Sequence, residues 1–236
     1  MLRTRHTLAY VSESARWDLL PAVIEGLPAP LRDRSVEERV REVLMEERIP
    51  GIVCRPTRPI PEGGGQIGFA FPFRIGALRV RSSVAVHRSQ IEAFVTPWEV
   101  MASAAALKGS GHPAVEALRR LAEETGAEIG LLGSVALQTM TGLDYIRPDS
   151  DLDIIVRADG LDRLTALGEA MAALARRTGI RIDTEVELDA RLGVKLEELL
   201  SETDSVLGKT IASVELISRR DLRDLIARRR SDATCG

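Results

Sequence analysis

Cysteine is nearly absent from this chain: Cys54 and Cys235 are the only two in 236 residues, too few and too far apart for a disulfide framework. Histidine is as scarce, and His6, His87 and His112 are scattered without the short spacing of a zinc site. Aromatic residues make up 3% of the chain, so Phe69, Phe71 and Phe73, at a period of two, read as one buried strand face and not as a base-stacking platform. No apolar stretch is long enough to span a bilayer, and Met1-Leu2-Arg3-Thr4-Arg5-His6 leads into no continuous apolar segment. A reducing cytoplasm, with no membrane contact, is therefore the expectation. A large excess of positive charge is missing too: the net charge is −3 and the pI about 5.8. That argues against nucleic acid as a partner held by bulk electrostatics.

With 44% hydrophobic residues, the chain can bury a real core, as one large domain or two small ones. Short strands and amphipathic helices alternate, which predicts an α+β protein. Leu8–Val11 reads as a strand, and Ser35-Val36-Glu37-Glu38 as a capping box that opens a helix with Val36, Val40, Val43 and Leu44 on its apolar side. Strand-type residues follow at 51–55, 67–73 and 75–86, with a proline- and glycine-rich loop between the first two. A second capping box, Thr96-Pro97-Trp98-Glu99, opens another helix. The segment Lys108-Gly109-Ser110-Gly111-His112-Pro113 interrupts two helical patterns, so the expected domains are 1–110, an N-terminal α/β domain, and 111–236. In the second, helices are expected at 113–125, 135–140, 161–178 and near 194–200, strands at 128–132, 154–156, 180–188 and near 211–217, and an arginine-rich helix at the end.

Chemistry concentrates between Leu131 and Val156. Gly133-Ser134 opens a helical pattern, and Asp151-Leu152-Asp153 enters the apolar run Ile154-Ile155-Val156. In a strand Asp151 and Asp153 project to one face, roughly 7 Å apart, where their repulsion amounts to about 2 to 3 kcal/mol. Such a pair calls for a cation, and Mg2+ suits it, since that ion takes one or two carboxylates and completes its shell with water and phosphate oxygens. Gly133 and Ser134 supply the other half: glycine admits a phosphate to the backbone, and the free N–H groups of a helix start favour negative charge. A second alternation, Arg181-Ile182-Asp183-Thr184-Glu185-Val186-Glu187, puts Asp183, Glu185 and Glu187 on one face. Asp183 is the candidate third carboxylate, whereas Glu185 and Glu187 also read as the exposed acidic face of an edge strand.

The order of Gly133-Ser134, Asp151-Leu152-Asp153 and a later acidic strand resembles the nucleotidyltransferase superfamily with the DNA polymerase β type of palm. More closely, the chain resembles the holo-acyl-carrier-protein synthases of malonate decarboxylase, the phosphoribosyl-dephospho-coenzyme A transferases. The residues that carry this likeness are Arg5-His6, Ser150 to Asp153, Ile182 to Glu187, and Lys209-Thr210. It covers most of the second half and, in outline, the first, through strands such as Arg74-Ile75-Gly76-Ala77-Leu78-Arg79-Val80-Arg81. The resemblance implies a nucleotidyltransferase-like mixed-sheet catalytic domain over 111–236. It also implies a reaction in which triphosphoribosyl-dephospho-coenzyme A releases diphosphate and its prosthetic group passes to a serine of an acyl-carrier protein. On that basis Asp151, Asp153 and Asp183 are the catalytic and metal-binding residues, with Asp183 either a ligand or the base for the serine proton. Gly133, Ser134 and Lys209 are the implied donor-binding residues, and Mg2+ the cofactor. The acceptor would be acidic, and Arg74, Arg79, Arg81 and Arg88 of the first half offer a docking surface, though solvated strand edges look the same. Two other functions fit the same residues: a nucleotidyltransferase that modifies a small-molecule hydroxyl, and a non-catalytic module that binds a nucleotide or partner.

Overall fold

The protein is described here from a computed structural model, which covers residues 1–106, 113–158, 160–189 and 192–233. It is an α+β chain with two β-sheets, and it divides into two compact units, Met1–Thr96 with Met140–Tyr145, and Pro97–Thr139 with Ile146–Gly236.

The first unit is built on β1 (Leu8–Val11), β2 (Gly51–Cys54), β3 (Gly64–Ile75), β4 (Leu78–His87) and β5 (Ile91–Val95). They form one antiparallel sheet in the order β4-β3-β2-β1-β5. Helices α1 (Glu13–Glu25) and α2 (Arg34–Met45) pack on each other, and α1 also packs on β4. Helix α2 buries the four predicted residues, Val36, Val40, Val43 and Leu44. Its cap is Asp33, not Ser35: Asp33 Oδ1 accepts from the backbone N–H of Ser35 at 2.9 Å and of Val36 at 3.1 Å. An aspartate two positions upstream reaches both orphan amides of the first turn, which leaves Glu38 to pair with Arg34. Phe69 and Phe71 are buried as expected, whereas Phe73 is half-buried, because the β3–β4 register slips between Ala70 and Arg74. The sequence pattern gave no element for 13–25, which is α1, and none for β5.

The second unit opens with α3 (Pro97–Ala106) and α4 (Pro113–Thr125), followed by β6 (Glu128–Leu131), α5 (Gly133–Thr141), β7 (Leu152–Arg157) and α6 (Leu161–Thr178). Then come β8 (Ile182–Asp189), β9 (Leu192–Lys195), α7 (Leu196–Leu200), β10 (Ser205–Lys209), β11 (Val214–Ser218) and α8 (Arg219–Ala233). The six strands run in the order β11-β10-β9-β8-β7-β6. Among the described residues only β7 and β8 are parallel, joined by the crossover helix α6. Leu152, Ile154 and Val156 of β7, with Leu164 and Leu167 of α6 and Val186 of β8, are buried in the core. Helix α3 packs on β6. The contact is close enough to require a glycine, since a Cβ on Gly130 would lie 2.6 Å from Cβ of Pro97. That packing carries α3 into the second unit, and most of the expected boundary segment 108–113 lies outside the described residues. The helix expected near 194–200 begins as a strand, because Val194 pairs with Val186 across β8 and β9. The strand expected near 211–217 is the second arm of the β10–β11 hairpin. Among the described residues no helix is long and apolar enough to cross a membrane.

Candidate active site

The parallel pairing of β7 with β8 creates the site. In its register Asp153 stands opposite Asp183, with Leu152 opposite Ile182 and Ile154 opposite Thr184. Two aspartates that the sequence separates by a whole helix are thereby adjacent, about 4.8 Å apart at the backbone, the usual distance between neighbouring strands. Asp151 lies just before β7, two residues from Asp153, and so falls toward the same side. The three expected aspartates thus lie at one end of one sheet, Asp153 and Asp183 in register and Asp151 at the entry to β7.

Gly133 closes the site from the side of β6. Its φ is +59°, a conformation that costs other residues about 1 to 3 kcal/mol. A Cβ added there would fall directly on Oδ2 of Asp153. Only glycine lets the start of α5 approach this carboxylate, and the backbone N–H of Leu132, just before it, donates to the Asp153 carbonyl at 2.9 Å. The helix follows at once, so the N–H groups of its first turn have no partner within the helix. Ser134 is half-buried in that turn, and its hydroxyl has no hydrogen-bond partner among the described residues.

Two cations that the sequence reading did not single out are in place. Arg181 forks onto Asp151, with Nε donating to Oδ1 at 2.8 Å and Nη2 donating to Oδ2. Lys195, at the end of β9, donates to Oδ1 of Asp183. The signal for Arg181 was present in the alternation, since it shares the parity of Asp183, two residues on. Lys195 had no local signal, because only the pairing of β9 with β8, Lys195 opposite Glu185, brings it to this face. Among the described residues, no group of three or more His, Cys, Asp or Glu side chains is spaced to hold a metal ion.

Glu185 and Glu187 are not an exposed edge. β8 is an interior strand, and both side chains are buried. Glu187 accepts from Arg157, whose Nε donates to Oε1 at 2.8 Å and whose guanidinium lies 3.6 Å from the centre of the Trp98 ring. Lys209 sits elsewhere: it pairs with Gly193, which pairs with Glu187. Its row is four residues along the strands from Asp153 and Asp183, about 13 Å away at strand rise. Gly133 and Ser134 are thus brought to the carboxylates, and Lys209 is not. A cavity of about 680 Å³ between α7 and α8, lined by Leu199, Thr203, Arg219 and Ile226 among others, contains none of the expected residues.

Fold and site define an α+β protein whose second sheet gathers carboxylates beside a glycine-started helix. The chain belongs to the phosphoribosyl-dephospho-CoA transferase MdcG family: its C-terminal domain matches residues 99–220 and its N-terminal domain residues 4–97. Similar curated proteins carry the same description. The phosphoribosyl-dephospho-CoA transferase of Xanthomonas euvesicatoria is 25% identical over 218 residues, 92% of this chain and 95% of its own length. Those of Xanthomonas axonopodis and Bradyrhizobium diazoefficiens are 24% and 25% identical, over 92% and 69% of this chain and 95% and 72% of theirs. No solved structure matches the chain significantly.

Proposed function

We propose that the chain transfers the phosphoribosyl-dephospho-coenzyme A group from its triphosphate precursor to a serine of an acidic acyl-carrier protein, with release of diphosphate, in the maturation of malonate decarboxylase. The observation that carries this reading is the register of β7 with β8, which sets Asp153 opposite Asp183, within a chain whose residues 4–97 and 99–220 the family's two domains match. The palm type of the second sheet belongs to the same proposal.

The residues fit Mg2+ in ligand type, since carboxylate oxygens are what a hard cation takes. Asp151 and Asp153 would hold the ion together with donor phosphates, in competition with Arg181, which pairs with Asp151 in its absence. When bound, the metal would polarise the attacked phosphoryl group and offset charge on the departing diphosphate. The protein supplies the rest. Gly133 and the amides of the first turn of α5 would receive donor phosphate oxygens beside Asp153, and the free hydroxyl of Ser134 would donate to one of them. Asp183, held by Lys195, would be a third ligand or accept the serine proton. Lys209, distant from this row, would bind donor only at its far end.

The test is donor choice: the purified protein is given a carrier protein, Mg2+, and either the triphosphoribosyl precursor or ATP. Diphosphate released from the precursor alone supports the proposal. Release from ATP with a small-molecule acceptor would establish the nucleotidyltransferase alternative, and no release with any donor would favour the non-catalytic module.

A further inference from the structure

Arg181 has no part in the reaction as set out above, yet it holds the most suggestive contact in the site. Its guanidinium takes both oxygens of Asp151 in a fork. Those are the oxygens that the proposed metal site needs. The backbone beside it is fixed, because the N–H of Leu152 donates to the Arg181 carbonyl at 2.9 Å. The side chain is not, being 78% exposed against 31% for Asp151. An exposed ion pair of this kind is worth little and is easily exchanged. The neighbourhood is nonetheless strongly anionic. Asp183 follows Arg181 by two residues and stands opposite Asp153 in the β7–β8 register, so three carboxylates lie near this guanidinium in the chain and the sheet. A planar guanidinium also matches phosphate oxygens with the same fork that it offers a carboxylate.

We propose that Arg181 is a diphosphate-binding residue that acts as the resting counter-cation of Asp151, and that it turns from this carboxylate to the donor's phosphate oxygens when the metal-bound donor enters. The inference rests on the metal site proposed above and adds a named role to it. Asp151 would thereby keep a counter-cation both before and after the metal-bound donor enters. The same guanidinium is then in position to hold the departing diphosphate.

The test uses the full chain with Mn2+ and inorganic diphosphate as probes, the first followed by the electron paramagnetic resonance of free Mn2+ and the second by calorimetry. Arg181→Gln removes the competing cation, so Mn2+ without diphosphate should bind at least about threefold more tightly. Diphosphate binding at saturating Mn2+ should weaken roughly tenfold through the loss of a charge-assisted contact, and Arg181→Lys should restore part of it. Absence of either change in Arg181→Gln overturns the exchange. Weaker Mn2+ binding in that variant also overturns it, since Arg181 would then merely orient Asp151. Failure of the metal reading is seen separately, in the wild-type protein: Mn2+ would bind there no better than in Asp153→Asn, and the exchange at Asp151 falls with it.

Discussion

At the scale of single residues, Gly133 makes the most exposed claim. A methyl group there meets the Asp153 carboxylate and must also sustain a positive φ. Gly133→Ala is therefore expected to lose about 1 to 3 kcal/mol of stability, measured by urea denaturation, and to lower transfer activity beyond that loss because Asp153 is displaced. Equal stability in the variant would mean that α5 does not start against this carboxylate. Ser134→Ala tests a subtler point. It should weaken donor binding by about 0.5 to 3 kcal/mol while leaving the fold intact, since its hydroxyl has no partner to lose among the described residues. An unchanged donor dissociation constant would leave Ser134 no role beyond its place in the helix. Asp151, Asp153 and Gly133-Ser134 could be read from the sequence because each is a local pattern: an alternation or a helix start. Lys195 could not be read in the same way, because only the pairing of β9 with β8 brings it to Asp183, whereas Arg181 shares the alternation of Asp183 and lacked only its partner Asp151.

At the scale of elements, α4 has an exposed ion-pair cluster with a definite pH dependence. Glu116 accepts from Arg119 at 2.8 Å and from Arg120 at 3.0 Å, and these hydrogen bonds hold its carboxyl down at about 2, against an ordinary 4.5. A carboxyl with a depressed folded value stabilises the fold above its unfolded value, and the contribution fades as pH falls from 4.5 through about 2. Thermal melts of wild type and Glu116→Gln should differ at pH 6 and converge near pH 2, with the gap shrinking in high salt because the cluster faces solvent. A gap that persists at pH 2 would assign it to packing. The β3–β4 hairpin makes a second prediction. Arg79 and Arg81 are exposed on the edge strand β4, and Arg74 stands directly opposite Arg79, an arrangement of like charges that is unfavourable by itself. If this hairpin docks an acidic carrier, reversing Arg79 and Arg81 to Glu should raise the apparent KM for the carrier and flatten its salt dependence, with donor binding unchanged. A loss of donor affinity would place these arginines with the triphosphate.

Elements were legible where periodicity ran long. Helix α6 buries Leu164, Leu167, Met171 and Leu174 of the expected apolar spacing and ends at Gly179 in the left-handed conformation, while Leu161, the first residue of that spacing, is exposed in the opening turn. Helix α1 does not stand out in the sequence because it runs through Pro21, a residue that argues against a helix interior, and its apolar residues form no clean stripe. Strands β9 and β10 do not stand out in the sequence for another reason: Leu192–Lys195 runs straight into α7, and Ser205–Lys209 has a glycine in place of a second apolar residue, so pairing decides both.

At the scale of the whole molecule, the chain is two compact units, each with its own sheet and core. Family membership spans both, so the chemistry proposed for the second has an N-terminal companion throughout the matched length. The order of the strands could not be reached from sequence, since only one parallel pair among antiparallel neighbours sets Asp153 beside Asp183. The central claim is that this site moves a prosthetic group onto a carrier-protein serine. Intact-mass spectrometry of a serine-bearing acyl-carrier protein, after incubation with the chain, Mg2+ and the triphosphoribosyl precursor, tests it most directly. The account predicts a gain of one phosphoribosyl-dephospho-coenzyme A group per carrier, absent with Asp153→Asn and absent when the carrier serine is replaced by alanine. An unmodified carrier, or an equal gain with Asp153→Asn, would contradict it.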